Sequence, residues 1–217
     1  MNSNNPQNII EQEFRFLIPY QNLQIDPPAE ILSFKMVDSS VIKIEDSLFE
    51  RKGITLKEQN IGFRVRKIND DKIEFTYKKF LGRENNIVRY DEFTLDLNEP
   101  ESQDLKSNVF TNPKLPILTE MQEKGNLYYF VTVANKRKVY NYKDDNSLIE
   151  LVVEDIVYSD GKNEAKDSAI EIEIKADNSN KENVYKFVDK IKEIYKCEEL
   201  NEGKNARAVR LLNITLQ

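Results

Sequence analysis

The stretch EQEFRF, residues 11–16, alternates charged and aromatic side chains with the two-residue period of a β-strand. In an extended strand its two glutamates and its arginine point to one side, and its two phenylalanines point to the other. The stretch IEIEIK, residues 170–175, repeats this pattern near the end of the chain, with two more glutamates on one face. Like charges on one strand face repel each other, so such a face costs stability unless something binds it.

Basic pairs occur on the strands between these two acidic stretches. FRVR, residues 63–66, places two arginines on one face, and Lys78, Arg89 and the basic run 136–138 follow. If the first and last strands are neighbours, four carboxylates meet, and that arrangement favours a divalent cation. Carboxylates, a metal, arginine and lysine are the groups that phosphoryl chemistry requires. Taken singly, each of these pairs is more typical of a solvated strand face.

The dominant period of two predicts an all-antiparallel core. Strands are predicted at residues 9–18, 41–44, 62–68, 72–79, 87–97, 128–142, 148–158 and 169–175. Helices are predicted at 28–36, after two prolines, and at 180–195, where apolar residues form an amphipathic stripe. This pattern predicts an α+β, mainly antiparallel β fold: an eight-stranded closed tunnel or barrel with a few flanking helices.

The composition excludes several kinds of chemistry. The chain has 217 residues, one cysteine and no histidine, so histidine catalysis, internal disulfides and cysteine- or histidine-based zinc sites are excluded. A metal must therefore bind oxygen ligands, which favours Mg²⁺, Mn²⁺ or Ca²⁺. With 32 basic and 38 acidic residues, the net charge of −6 makes duplex nucleic acid a poor partner.

The sequence carries no recognisable targeting signal. The polar N-terminus does not resemble a secretory signal, and no stretch approaches the roughly 18–20 apolar residues that span a bilayer. We therefore expect a cytoplasmic protein that does not enter a membrane. Residues 1–8 are predicted to be a flexible tail and residues 9–217 a single domain, as a monomer or a small homo-oligomer.

The order of these motifs resembles the CYTH superfamily, the triphosphate tunnel metalloenzymes. The family shows Glu-x-Glu-x-Lys, Gly-x-x-Leu, Arg-x-Arg, Thr-x-Lys, Arg-x-Glu, Lys-x-Arg and Glu-Ile-Glu motifs. The stretches of this chain that resemble these motifs are, in the same order, residues 11–15, 53–56, 64–66, 76–78, 89–91, 136–138 and 171–173. The resemblance implies a tunnel of eight antiparallel strands whose charged interior binds a triphosphate group with Mg²⁺ or Mn²⁺.

The resemblance also implies roles for individual residues. By position, the metal ligands are Glu11, Glu13, Asp155, Glu171 and Glu173. By position, the groups that bind phosphate are Arg64, Arg66, Lys78, Arg89, Lys136 and Lys138. Arg15 stands where the family has the lysine that is thought to help activate the nucleophile, so Arg15 and Glu13 are the candidate catalytic residues.

The chain departs from the family pattern at several of these positions. Arg15 replaces the lysine, and because arginine keeps its proton near neutral pH it is a poor general base. Asp91 stands where the family has glutamate, and Lys138 stands where it has arginine. Two alternatives stay open: Glu154 in place of Asp155 as a ligand, and Arg137 facing inward if a β-bulge intervenes.

Three functions are compatible with the sequence. The first is hydrolysis of inorganic tripolyphosphate, a nucleoside triphosphate or thiamine triphosphate, with the 5′-triphosphate end of RNA also open as a substrate. The second is a class IV-type adenylate cyclase that makes cAMP and pyrophosphate from ATP, for which Tyr77, Phe80, Tyr90 and Tyr142 are candidates to stack on the base. The third is a module that binds a nucleotide or polyphosphate without turnover, which Arg15 favours.

Overall fold

The computed structural model describes residues 7–53, 55–84, 86–110, 114–175 and 180–216. Its long strands are β1 Gln7–Leu17, β3 Phe34–Arg51, β4 Ile61–Ile68, β5 Lys72–Glu84, β6 Ile87–Leu97, β7 Leu127–Lys143, β8 Leu148–Ser159 and β9 Glu164–Ile174. Two short strands are β2 Glu30–Ile31 and β10 Glu198–Glu199. The helices are α1 Glu99–Lys106, α2 Pro116–Glu123, α3 Lys181–Tyr195 and α4 Lys204–Leu211.

The eight long strands close into an antiparallel barrel. Their order is β1-β6-β5-β4-β3-β7-β8-β9, and β9 pairs with β1 to complete the ring. At this closure Glu13 lies opposite Glu173, and Arg15 lies opposite Glu171. The structure therefore confirms the predicted fold class, and it confirms that the first and last long strands are neighbours.

The apolar cores of this protein lie mainly outside the barrel. On one side α3 packs against the outer faces of β1, β8 and β9, and its Phe187 joins Phe14 and Ile172. On another side α1 and α2 cover β4 and β5, where Phe63 and Phe75 are buried. Because side chains alternate along a strand, the residues between these apolar ones point into the barrel. On β1, and over residues 170–174 of β9, the charged face is thus the inner face.

The prediction of a helix at residues 28–36 is wrong. The two prolines precede β2, a turn at Leu32 with φ of 55°, and the start of β3. Ile31 and Phe34 pair across this turn and are both buried, which is a strand contact. The strand predicted at 41–44 is correspondingly too short. Buried charged residues and an exposed serine pair interrupt the apolar alternation of β3, which hides its length.

The ends of the chain also differ from the sequence expectations. Residues 1–6 of the predicted tail, and Ile54 of the predicted Gly-x-x-Leu match, lie outside the described residues. Gln7 and Asn8 belong to β1 and pair with β6. The residues after β10 lead into α4.

α4 covers part of one end of the barrel. Its Ala208, with Leu212 just beyond, packs on inward side chains of β3, β7 and β8, among them Leu48, Val133 and Ile156. None of the helices in the described part of the chain is both long enough and apolar enough to cross a membrane.

Candidate functional site

The barrel encloses a cavity of about 1090 Å³. It is lined by alternate residues of the strands, by the turn around Asn60, and by residues 200–206 at the start of α4. Eight of the sequence-predicted site residues line it together: Glu11, Glu13, Arg15, Arg64, Arg66, Lys78, Glu171 and Glu173.

The structure brings Arg89, Lys136, Lys138 and Asp155 to the outer surface instead, which corrects the prediction for these four. Arg89 and Lys136 are exposed, and Lys138 forms an ion pair with Asp26, 3.0 Å away. The physical reason is strand alternation, because in each case the adjacent residue occupies the inward position.

Arg137 and Glu154 occupy the positions that the sequence left as alternatives. They lie opposite each other on β7 and β8, in a stretch where the pairing runs without interruption from Thr132 to Lys143. No bulge in this described stretch is needed to turn Arg137 inward. On β6 the inward residues are likewise Tyr90 and Glu92, so Asp91 lies on the outer face.

Several cavity residues were not singled out from the sequence. They include Glu74, Glu92, Glu150, Lys175 and Lys204. The buried Asp46, which forms ion pairs with Arg64 and Arg66, was not singled out either. Glu92 lies on β6 and Glu150 lies on β8. On these two strands the sequence prediction chose Arg89 and Asp155, which are on the opposite face from the residues that point inward. Lys204 comes from α4, and no local pattern in the sequence indicates that this helix reaches the barrel interior.

Glu171 and Glu154 form the centre of an ion-pair cluster. The Arg137 guanidinium lies 2.8 Å from Glu171 and 2.5 Å from Glu154. The Lys204 ammonium lies 3.2 Å from Glu171 and 2.8 Å from Glu154. Arg15 Nε lies 3.5 Å from Glu171. Burial alone would raise the pKa of Glu171, but Lys204, Arg137 and Arg15 hold it well below its usual value.

A second set of ion pairs lines the opposite wall. Arg66 donates two hydrogen bonds to Asp46, from Nε at 2.7 Å and from a terminal nitrogen at 2.9 Å. Lys78 contacts Glu11 and also lies 2.7 Å from Glu92. Burial disfavours the charged form of Lys78, but Glu11 and Glu92 outweigh that effect and raise its pKa. The cavity therefore holds oppositely charged groups in close alternation.

Three arginines keep hydrogen-bonding capacity inside this cluster. The Nε groups of Arg15, Arg64 and Arg137 are buried and have no hydrogen-bond acceptor among the described residues. A buried donor without an acceptor costs free energy, and on a guanidinium an anionic oxygen satisfies it best. These three groups are thus suited to bind an anion that enters the cavity.

One protein-family model matches most of this chain. The family model of the CYTH domain matches residues 10–208. The chain belongs to the CYTH domain family. CYTH proteins act on triphosphates, as triphosphatases or as cyclases, and their enzymes depend on a metal ion. No curated protein sequence matches this chain.

Solved structures share the CYTH fold with this chain. A Hippeastrum protein named as an adenylyl cyclase, and described as having a dominant triphosphatase activity, is 15% identical with a TM-score of 0.63; the match covers 92% of this chain and 95% of that one. A candidate adenylate cyclase from Bacillus halodurans is 17% identical with a TM-score of 0.59, over 92% and 97% of the two chains. The protein PH1819 from Pyrococcus horikoshii is 14% identical with a TM-score of 0.51, over 94% and 99%.

The carboxylates on β1 and β9 fit the metal that CYTH enzymes require. Burial raises the pKa of Glu13 to about 8, and the charges of Glu11 and Glu171 contribute to the rise. Crowded carboxylates of this kind are relieved by a cation with oxygen ligands. No three acidic or cysteine side chains of the described residues stand together as a ready-made metal site. Ion pairs with arginine and lysine engage these carboxylates, so a metal would have to displace some of these contacts.

Proposed function

We propose that this chain is a metal-dependent phosphohydrolase that cleaves a triphosphate-containing substrate inside the barrel. The observation that carries the proposal is the convergence of carboxylates from β1 and β9 with cationic side chains from β4, β5, β7 and α4 in one cavity. A triphosphate needs both sets, because cations neutralise its oxygens and carboxylates bind the metal that accompanies it.

The acidic side chains have the first role. Glu11, Glu13, Glu171 and Glu173 would hold Mg²⁺ or Mn²⁺, both of which prefer oxygen ligands. When bound, the ion neutralises phosphate oxygens and offsets the repulsion between the substrate and these carboxylates. Glu154 is the further acidic group, since it lies 0% exposed beside Arg137 and Lys204.

The basic side chains have the second role. Arg64 and Arg137 have buried Nε groups with unused hydrogen-bonding capacity, so they would bind phosphate oxygens directly. Lys78 and Lys204 would add point charges on two sides of the chain of phosphates. Arg66 donates two hydrogen bonds to Asp46, so its role would be to hold the part of the cavity wall formed by β3 and β4 in place.

Arg15 would bind and orient a phosphate group or water. Burial opposes its charge, but Glu13 and Glu171 raise its pKa, which keeps the guanidinium protonated. A protonated guanidinium cannot take a proton from the attacking water. Arg15 would therefore stabilise charge on the phosphoryl group, and its unused Nε group suits that role.

Adenylate cyclase activity is the second candidate function. The observation that favours it is the pair Phe80 and Tyr90, which line the cavity beside Lys78. Cyclisation needs a pocket for the base next to the phosphates, and aromatic rings provide one. The other two aromatic candidates lie outside the cavity, because Tyr142 is buried under α3 and Tyr77 packs near α1 and α2.

Product analysis by ³¹P NMR tests the proposal. Tripolyphosphate and ATP are incubated separately with purified protein, with Mg²⁺, with Mn²⁺ and with a chelator. We expect metal-dependent orthophosphate from wild type, none from Glu13→Ala, and normal release from Gln12→Ala, whose side chain lies on the outer face. Pyrophosphate with a cyclic nucleotide would make the protein a cyclase. Ligand binding without any product would make it a binding module.

A further inference from the structure

Phe80 and Tyr90 form an aromatic wall at one mouth of the cavity. They face each other across β5 and β6, with ring centroids 6.0 Å apart and the rings 64° apart in an edge-to-face contact. Phe80 is 37% exposed, so part of its ring is free to meet a ligand. Lys78 lies on the same wall one layer deeper, with its ammonium 5.3 Å from the centre of the Tyr90 ring.

A β-bulge in β5 directly follows this wall. The pairing between β5 and β6 shifts between Phe80 and Gly82, so Leu81 is the extra residue. The shift changes the inward parity, and both Phe80 and Arg83 line the cavity. Leu81 points away from the cavity and is 50% exposed. The Phe80 backbone is fixed by a hydrogen bond from its N–H to the Asn60 carbonyl, 2.8 Å long.

Gly62 leaves a gap beside the aromatic wall. It lies on β4 opposite Lys78, lines the cavity, and would meet nothing within 4 Å if it carried a Cβ. Polar groups border this gap at the rim, where Asn60 and Asn201 line the cavity and Arg83 donates a hydrogen bond to Asn201. A flat ring with polar edges matches an aromatic wall, an open slot and amide groups at the rim.

The order of these layers fits one kind of ligand. From the interior toward the mouth, Arg64 on β4 comes first, Lys78 follows at the level of Gly62, and Phe80 with its partner Tyr90 comes next. An inorganic polyphosphate is charged along its whole length and gains nothing from an uncharged aromatic layer. A triphosphate ester on a heteroaromatic group places its phosphates beside Arg64 and Lys78 and its ring beside Phe80 and Tyr90.

We infer that Gly62, Phe80 and Tyr90 bind the ring of an organic triphosphate, so that the protein favours such a substrate over inorganic tripolyphosphate. This inference rests on the proposed function, since it names the substrate class of that same cavity. Phe80 contacts one face of the ring, and Gly62 leaves the space that the ring occupies.

Two variants and one matched control test the inference. Phosphate release from ATP and from tripolyphosphate is measured with Mg²⁺ for wild type, Phe80→Ala, Gly62→Val and Leu81→Ala. We expect wild type to have the higher kcat/KM on ATP. The ratio of kcat/KM for ATP to that for tripolyphosphate should fall about tenfold in Phe80→Ala, the effect of losing one stacked ring. Gly62→Val should lower the same ratio by filling the slot, and Leu81→Ala should keep it.

A binding readout separates this inference from the proposed function. If wild type releases phosphate from neither compound, the proposed function fails, and the rise in Tm with ATP and with tripolyphosphate then decides the inference. ATP should give the larger rise in wild type and lose that advantage in Phe80→Ala. A preference for tripolyphosphate in wild type, or an unchanged ratio in both Phe80→Ala and Gly62→Val, would overturn the inference.

Discussion

Lys136 and Arg137 are neighbours in the sequence but lie on opposite faces of β7. Arg137 points into the cavity and contacts Glu154 and Glu171, whereas Lys136 is exposed on the outside. The same division separates Glu154 from Asp155 on the paired strand. A run of like-charged residues therefore carries one functional position and one solvated position, and only the register of the barrel distinguishes them.

This division gives a paired test at positions 136 and 137. We expect Arg137→Ala to lower kcat/KM for a triphosphate about 100-fold, because it removes a buried donor to phosphate. Lys136→Ala, which removes the same charge one residue earlier, should change kcat/KM less than about twofold. Equal losses in the two variants would mean that Arg137 does not contact the substrate.

Asp46 and Glu45 offer a second pair of neighbours on β3. Asp46 is fully buried and binds Arg66 through two hydrogen bonds, while the exposed Glu45 forms an ion pair with Lys106 at 3.4 Å. Removing one partner of a buried ion pair leaves an uncompensated charge and costs about 3–5 kcal/mol. We expect that loss in Asp46→Ala and less than about 1 kcal/mol in Glu45→Ala, measured by urea denaturation. A small loss in Asp46→Ala would refute a structural role for this pair.

Glu13 makes the stability of the metal-free protein dependent on pH. Its pKa is about 8 in the folded protein and 4.5 for an ordinary glutamate, so the folded state holds this proton more tightly. The resulting stabilisation is complete below pH 4.5 and is lost as the pH rises through about 8. With a chelator present, Glu13→Gln should match wild type at low pH. Near pH 9 it should be more stable by at least ~1.4 kcal/mol, the equivalent of one pKa unit. Parallel pH profiles of Tm for the two proteins would contradict this assignment.

Among the strands and helices, period-two patterns were the most informative part of the sequence. β6 has the predicted bounds, and β4, β7, β8 and α3 differ by a residue or two at their ends. β3 was largely missed, because its inward face carries buried charges and its apolar alternation is broken. The inward parity of β6, β7 and β8 could not be fixed from local sequence, because it depends on which face α3 and the other helices cover.

α4 is the element that sequence patterns describe least well. Its eight residues carry Lys204 into the cavity at one end and are anchored through Ala208 and the adjoining Leu212 at the other. Only the packing of the whole barrel brings this segment to the opening. The position of Lys204 therefore depends on apolar contacts several residues away from it.

The anchoring of α4 can be tested at Leu212. Truncation of this buried side chain leaves a cavity between the helix and the barrel, and we expect Leu212→Ala to cost about 2–4 kcal/mol of unfolding free energy. Thr215→Ala, at an exposed position shortly after it in the chain, should cost less than about 0.5 kcal/mol. Urea denaturation of both variants measures these costs. A loss in Leu212→Ala no greater than in the control would show that α4 is not held by this contact.

The chain has a net charge of −6, but the acidic and basic side chains that line its cavity are nearly equal in number. Its cations are engaged by its own carboxylates, so a triphosphate alone must compete with those carboxylates for them. A divalent cation that binds the carboxylates frees the cations at the same time. Metal and triphosphate are therefore expected to bind together more tightly than either binds alone, which calorimetric titrations of each in the presence and absence of the other would measure.

Steady-state phosphate release tests the central claim most directly. ATP with Mg²⁺ is compared with ATP and a chelator for wild type, Glu171→Gln and the control Glu164→Gln, which changes an exposed glutamate on the same strand. We expect metal-dependent release in wild type and the control, and a loss of about 100-fold or more in Glu171→Gln. Release that persists with the chelator, or that is equal in Glu171→Gln and wild type, would contradict the assignment of this barrel as a metal-dependent triphosphatase.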